Sequence, residues 1–539
     1  MVNKNYKKIS DIVDFLSLSF KLIKINVNSD HKIDFFILNS SLYGLFRSIC
    51  SSCSYSSCDV GFIALKGSKD PLEHYLKPIL DLNPKLVIAD KDCNYHMLPS
   101  HINYVVVENL KRDLDKLLNF FYDHPAKSLN IFGITGTNGK TTTTTILYSI
   151  FQELSKKDPI FSSCLIGTVK YCIKDQVIYE SSTSNIPLTT PDICTNYFLL
   201  KTCRDRGVKN VFMEVSSHSL DQERVKGIEF KVVSFTNLSR EHLDYHKTMQ
   251  NYFSAKKKLF TDYSSDFKII CSSNSYGRRL INELSQNKAD IISFKIRSFK
   301  NCDYSETSQS SFNLSFIDPI KKQKIVQNIK TDLIGLHNFE NLSIVYISCY
   351  LFINYVLGDL PVKFYLDQVV NLLANSSKFL ADAGRLELVS KDPLVFIDYA
   401  HSPDALKRIL KTLKSIKKDS GKLIVVFGAG GNRDKTKRPL MGKVASKYAD
   451  IIILTSDNPR NEDPLLIIED IKKGVKIDSK NVIVELDREN AIRKGIELAQ
   501  TKDIVLIAGK GHEKYQIIGK SIKEFSDKKV ALKCLTRVS

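Results

Sequence analysis

The stretch "IFGITGTNGKTTTTTILYSI", residues Ile131 to Ile150, decides the fold. An apolar run with strand character enters a glycine loop, and the loop opens a helix. Five consecutive threonines, Thr141 to Thr145, begin that helix, although β-branched residues are mediocre helix formers. Such a start makes sense where a helix N-terminus holds phosphate and metal as well as itself. Gly133, Gly136 and Gly139 let backbone amides approach phosphate, Lys140 supplies a point charge, and Thr141 can reach Mg²⁺. The strict G-x-x-x-x-G-K-[ST] pattern asks for glycine at position 134, where Ile134 stands; "TGTNGKT" is a distinctive string of its own.

Outward from the loop the same pattern repeats. "VKNVFMEV" and "FKVVSFTNL" are buried-strand candidates that end in polar residues, as in a parallel sheet with its chemistry at the strands' carboxyl ends. Upstream, "VGFIALKG" (Val60 to Gly67) and "KLVIAD" (Lys85 to Asp90) read as strands of a small α/β unit, and Pro125 ends the helix before a break. Downstream, Ser298 to Phe316 is polar and reads as a loop or hairpin insertion. "IVYISCYLFINYVL" reads as a buried helix, too short to span a bilayer. Near "LADAGRLELV" the pattern restarts, and five more strand candidates follow: "PLVFIDYA", "KLIVVFGAG", "ADIIILTSD", "NVIVELD" and "DIVLIAGKG". The expectation is an α/β protein of three domains, residues 1–125, 126–380 and 381–539.

With 539 residues the chain exceeds a single core. Hydrophobic content of 43% and charged content of 25% are those of a soluble globular protein. The formal net charge of +19 is spread along the chain without an Arg-rich arm or an aromatic-basic repeat, so no nucleic-acid partner is expected. Twelve cysteines include one local cluster, Cys50, Cys53 and Cys58. No second pair or nearby histidine completes a zinc site there, and reduced thiols are expected. The first residues lack a secretory pattern, and the expectation is a cytoplasmic protein with no membrane segment.

Metal ligands are expected beside the loop. "FMEVSSHSLDQER" puts Glu214 at a strand end, followed by hydroxyls, His218, Gln222 and Arg224, and "TNLSREHLDYH" puts His242 just past the next strand. A carboxylate and an imidazole there could hold Mg²⁺ over a nucleotide.

With these strings in view the chain resembles the Mur ligases. "GITGTNGKTT", "MEVSSHSLDQERV", "TNLSREHLDYH", "GLHNFEN", "AGRLEL", "DYAHSPDAL", "GAGGNRDKTKRPLMG", "DNPR" and "GKGHEKYQ" stand in that family's order from about Asn130 onward. The resemblance implies an N-terminal uridine-nucleotide domain, a central P-loop ATPase and a Rossmann-like C-terminal domain that closes over an amino acid. The implied activity is ATP-dependent amide formation in peptidoglycan biosynthesis, through an acyl phosphate. The implied substrates are UDP-N-acetylmuramoyl-L-alanyl-D-glutamate, meso-diaminopimelate and ATP, with Mg²⁺ as cofactor and a monomer as the working unit.

The resemblance also implies residue roles. Gly136, Thr137, Asn138, Gly139, Lys140, Thr141 and Thr142 would hold the ATP phosphates, with Asn338, Asn341, Asp398 and His401 contacting the nucleotide. Thr141, Glu214, His242 and a carbamylated Lys256 would serve the metal, and Arg385 would neutralise transferring phosphate. Leu38, Ser40, Thr189, Thr190, Ser216, Gln222 and Arg224 match positions that contact the UDP-muramoyl dipeptide. Arg433, Asp457, Asn458, Pro459, Arg460, Gly509 and Glu513 match the diaminopimelate pocket, where a guanidinium and an acceptor suit a far carboxylate and amine. The resemblance thins before residue 130: around "LNSS" the family's usual Asp and Arg are missing, and "CSSNSYG" departs later from a usual Asn and acidic pair. A lysine-adding ligase of the same family and an inactive Mur-like scaffold are the alternatives. Arg460 opposes the first; Lys140, Glu214, His242, Arg433 and Arg460 together oppose the second.

Overall fold

The computed structural model describes residues 7–38, 59–66, 71–180, 188–285, 291–302, 309–357, 361–381, 383–475 and 481–538; Ser40, Cys50, Cys53 and Cys58 lie outside the described residues. Its frame is three sheets. The first has the order Leu22–Asn26, Tyr104–Val107, Leu86–Asp90, Val60–Ala64, Phe35–Ile37, parallel except for the antiparallel strand Leu22–Asn26. Strands buried on both faces read as continuous apolar runs, as "LVIAD" and "VGFIA" do.

The second sheet has eight strands: Gln176–Glu180, Lys170–Ile173, Ser163–Ile166, Asn210–Glu214, Asn130–Thr135, Phe230–Phe235, Ser265–Cys271 and Ile291–Phe294. The last six run parallel; the first two are an antiparallel extension at one edge. Register sets the chemistry, because Asn130–Thr135 lies between Asn210–Glu214 and Phe230–Phe235, with Glu214 opposite Ile134 and Phe235 opposite Thr135. The glycine loop, Glu214 and the chain leading to His242 therefore leave the sheet at the same end.

Helix Lys140–Ser155 follows the loop, and its five threonines are all buried. It packs in one apolar cluster with helix Leu336–Tyr355, itself buried along most of its length. Tertiary packing on all sides is what makes a threonine-rich helix start tolerable. Thr144 Oγ1 donates to the carbonyls of Lys140 and Thr141 at 3.0 and 3.2 Å, whereas the buried Thr143 hydroxyl has no partner. Phe299–Lys300 and Ser310–Ile317, from the polar stretch, join Lys324–Thr331 in a three-stranded antiparallel sheet.

The third sheet has the order Glu387–Lys391, Leu394–Asp398, Ile504–Ala508, Leu423–Phe427, Ile451–Leu454, Val482–Val484, parallel except for its first strand. Apolar clusters cover both its faces. No helix among the described residues is long and apolar enough to cross a membrane.

Candidate active site

The loop after Asn130–Thr135 is shaped by two positive-φ glycines, Gly136 at +150° and Gly139 at +93°. A Cβ on Gly136 would lie 1.8 Å from Thr236 Oγ1, and one on Gly139 would lie 2.3 Å from Asn341 Oδ1. The loop can pass only because neither residue has a side chain. Thr137 N donates to Asn237 O at 2.9 Å and Asn138 N to Asn237 Oδ1 at 3.1 Å, which pins the loop to the end of the neighbouring strand. Lys140 Nζ folds back and donates to the carbonyls of Gly136 and Thr137 at 2.9 and 3.0 Å. Burial pushes this ammonium below its usual value, opposed by the carboxylates of Glu214 and Glu241. A cation held this way above a helix N-terminus is built for phosphate.

Glu214 is 1% exposed and accepts four hydrogen bonds. Thr141 Oγ1 donates to its two oxygens at 3.0 and 3.1 Å, and Thr168 donates from its backbone N at 2.8 Å and its Oγ1 at 3.1 Å. Thr168 also reaches Thr189 Oγ1 at 3.1 Å, so the carboxylate joins the loop to the segment after residue 187. Thr190 Oγ1 donates to Glu214 O at 2.8 Å and accepts from Ser216 N at 3.0 Å. Arg224 Nη1 donates to Thr190 O at 3.0 Å, and its Nε and Nη2 donate to Gln222 Oε1 at 3.0 and 2.6 Å. Thr189, Thr190, Ser216, Gln222 and Arg224 thus form one connected wall. Leu38 is not in it: it follows strand Phe35–Ile37 and packs against the core of the first sheet.

His242 takes a left-handed backbone, φ +56°, which turns its ring toward His218 at a centroid separation of 4.9 Å. The protein around it holds its imidazole down at about 4, so the ring is neutral at physiological pH and keeps a lone pair for a metal. Lys256 is 1% exposed, with Nζ donating to Gly136 O at 2.8 Å and lying over the Tyr252 ring at 4.9 Å. Burial, and then the nearby Lys140 charge, holds its ammonium well below the usual lysine value. Among the described residues no group of three or more His, Cys, Asp or Glu is arranged to hold a metal. The donors fit Mg²⁺ nonetheless: an oriented carboxylate, a threonine hydroxyl and a neutral imidazole are few, and Mg²⁺ keeps waters and substrate phosphates as its remaining ligands.

The C-terminal sheet supplies the opposite wall. Asp398 ends strand Leu394–Asp398 and accepts from Leu386 N and Ala400 N at 2.6 Å each; burial raises its carboxyl to about 6. His401 Nδ1 faces Tyr399 O at 3.0 Å and Nε2 faces Glu241 Oε1 at 3.0 Å, a contact between the second and third sheets' loops. Burial alone would raise Glu241, but the His401 hydrogen bond, and the charges of His401 and Lys140, hold it well below the usual carboxylate range. Arg385 stacks on the Tyr399 ring at 4.7 Å, and its buried Nε has no partner.

After strand Ile451–Leu454 the chain carries Asp457, Asn458, Pro459 and Arg460. Asp457 is 6% exposed and lies against Gly509, whose φ of +119° and missing Cβ leave the carboxylate its place. Burial alone would raise Asp457; Lys510, Arg488, His401 and Lys437 outweigh it and hold the carboxyl low. Arg460 adopts φ +52°, and its Nη1 donates to Gly431 O at 2.9 Å. Asn458 Nδ2 donates to Glu513 Oε2 at 2.9 Å.

These walls enclose a cavity of about 730 Å³. Lys140, Thr189, Ser216, Arg224, His242 and Lys256 line one side, and His401, Arg433, Asp457, Asn458, Arg460, Gly509 and Glu513 line the other. Gln222 and Asp398 act behind this lining through the hydrogen bonds above. Asn338 Nδ2 donates to Ile334 O, just ahead of its own helix, at 2.9 Å, Asn341 abuts Gly139, and Arg385 stands behind Tyr399. Three participants were not singled out from the sequence: Thr168, Glu241 and Lys510. Glu241 precedes His242 and Lys510 sits inside "GKGHE", so both were readable; Thr168 had no motif to mark it.

Two family models match the chain: the Mur ligase middle domain over residues 134–349, and the Mur ligase, glutamate ligase domain over residues 384–511. A protein of Aquifex aeolicus, UDP-N-acetylmuramoyl-L-alanyl-D-glutamate--2,6-diaminopimelate ligase, is 40% identical over 484 residues, covering 88% of this chain and 90% of that one. A protein of the same name from Lawsonia intracellularis is 41% identical over 439 residues, 80% and 84% of the two chains. A solved structure under that name superposes with a TM-score of 0.56 at 28% identity, over 96% of this chain and 97% of the other.

Proposed function

The chain belongs to the Mur ligase family, and from that premise we propose that it joins 2,6-diaminopimelate, in its meso form, to UDP-N-acetylmuramoyl-L-alanyl-D-glutamate in peptidoglycan biosynthesis. Ligases of this family use ATP and Mg²⁺. The observation that carries the reading is that a single cavity has the phosphate-loop lysine, Lys140, on one wall and Arg460, Asp457 and Glu513 on the other. The reaction transfers the terminal phosphoryl group of ATP to a substrate carboxylate. An amine then attacks the acyl phosphate, and the tetrahedral intermediate collapses to an amide and phosphate.

The residues' work is positioning and charge neutralisation. Lys140 and the amides at the helix start bind phosphate oxygens. Thr141, Glu214 and His242 would hold the Mg²⁺, which would supply neutralisation of phosphate charge. The wall of Thr189, Thr190, Ser216 and Arg224 receives the anionic, sugar-bearing substrate, while Arg460 and Arg433 take the far carboxylate of the amino acid and Glu513 its ammonium. Asp398, Asn338, Asn341 and Arg385 would reach the nucleotide from behind the lining on closure of residues 381–539 over 126–380. Leu38 and the region 1–125 are assigned to the uridine end. Lys256 is read as carbamylated: its unprotonated amine, favoured by burial and by the Lys140 charge, attacks CO₂ and loses a proton, leaving a carbamate anion beside Lys140. A ¹³C carbamate resonance acquired from labelled bicarbonate by the wild type, and absent from Lys256→Ala, is the expected mark. The reading is of a cytoplasmic monomer.

The test is phosphate release with ATP, Mg²⁺ and UDP-N-acetylmuramoyl-L-alanyl-D-glutamate, comparing meso-diaminopimelate with L-lysine. Release with diaminopimelate alone is expected. Release with lysine instead would keep the ligase and discard the role given to Arg460; no release from a folded, ATP-binding protein would discard the activity.

A further inference from the structure

Lys510 lies between Gly509 and Gly511 with a side chain that is 0% exposed. Its Nζ donates to Asn458 Oδ1 at 3.1 Å and to Glu513 Oε2 at 3.0 Å. Asn458 Oδ1 also accepts from Ile517 N at 2.9 Å while Nδ2 donates to Glu513. The oxygen of Asn458 is therefore taken twice within the wall, as is one oxygen of Glu513. Asp457 sits at the same end of the cavity and feels Lys510 as the first of the charges that lower it.

Remove Lys510 in thought, and Glu513 loses its hydrogen-bonded ammonium and Asp457 the first of the charges that lower it, while Arg488 stays committed to its ion pair with Asp527. Such an end attracts any bare ammonium, lysine's included. With Lys510 in place the carboxylates are matched from inside, and Arg460, anchored through Nη1 to Gly431, is left requiring an anion. We infer that Lys510 determines specificity at the amino-acid end of the cavity: a built-in ammonium that occupies acceptors a bare substrate ammonium would otherwise take, so that only a far end bearing a carboxylate as well is held. This rests on the diaminopimelate reading above. An amino acid ending in an ammonium alone meets repulsion from Lys510 and Arg460 and one free oxygen of Glu513. A far end with both charges satisfies Arg460 and Glu513 together.

The measurement is the ratio of kcat/KM for meso-diaminopimelate to that for L-lysine, with KM for ATP determined alongside. In Lys510→Gln, which keeps a donor and removes the charge, the ratio is expected to fall about tenfold or more, mainly through a lower KM for L-lysine, with KM for ATP within about threefold. Lys510→Arg, which keeps the charge and serves as the test even where the neutral variant loses its fold, should hold the ratio within about threefold. A folded Lys510→Gln with an unchanged ratio, or a Lys510→Arg that loses it tenfold, overturns the inference. A wild type that does not use diaminopimelate at all overturns the underlying reading instead.

Discussion

Lys256 is a lysine with almost no access to water, beside a second lysine, on the carbonyl of a phosphate-loop glycine. Lys256→Ala should lower turnover by about 100-fold or more while ATP still binds, if the proposed carbamate serves the metal rather than a binding surface. Steady-state kinetics and ATP titration check this, and near-normal turnover would remove Lys256 from the site. Arg460→Ala should raise KM for diaminopimelate about 10- to 100-fold and leave KM for ATP nearly unchanged, the value of one charge-assisted contact; equal effects on both would defeat the assignment. Thr168→Val deletes one of the four hydrogen bonds to Glu214 at little change of shape. A bond to a charged group is worth roughly 1.5–3 kcal/mol. The expected result is a kcat lower by about tenfold or more with a melting temperature lower by a few degrees. Motifs carry Lys140, Glu214, His242 and Arg460 openly in the sequence, but Thr168 is legible only through Glu214. Its role comes from the carboxyl end of Ser163–Ile166 lying beside Asn210–Glu214, a pairing that no local string encodes.

At the scale of elements, helix Lys140–Ser155 tests whether its threonines are all there for function. Thr143 is fully buried, and its hydroxyl has no partner. Thr143→Val should therefore stabilise the protein by about 1 kcal/mol, because an unsatisfied buried hydroxyl is replaced by a methyl of equal size. A rise of the melting temperature with unchanged ATP binding would agree, and a clear fall would point to a hidden partner. The strands flanking the loop were readable because they are apolar throughout and end in polar residues. The strands Ser163–Ile166, Lys170–Ile173 and Gln176–Glu180 were passed over. They are short, and the last is exposed or half-buried throughout, so neither alternation nor a continuous apolar run marks it. The strand Glu387–Lys391 was likewise read only as the restart of a pattern, and its antiparallel pairing at a sheet edge has no sequence signature.

Across the whole molecule, His246, His337 and His512 are held neutral by burial, down to about 4, about 3 and about 3 respectively. In the unfolded chain a histidine protonates near 6.5, so between that value and the folded values the unfolded state binds more protons and stability falls as pH falls. From pH 7 to pH 5 each contributes a loss of at most about 2 kcal/mol. Urea midpoints should drop over that interval, and His512→Gln should flatten the drop; a midpoint independent of pH would contradict the burial of these rings. The sequence by itself determined the α/β class, the phosphate loop and the family, because those reside in contiguous strings whose backbone chemistry is local. The enclosure of the cavity was decided only by tertiary structure. His401 meets Glu241 across 160 residues, Glu214 is completed by Thr168, and Lys510 reaches Asn458. Each is an electrostatic match between segments distant in the chain, and its strength depends on burial and distances that exist only once the sheets have packed.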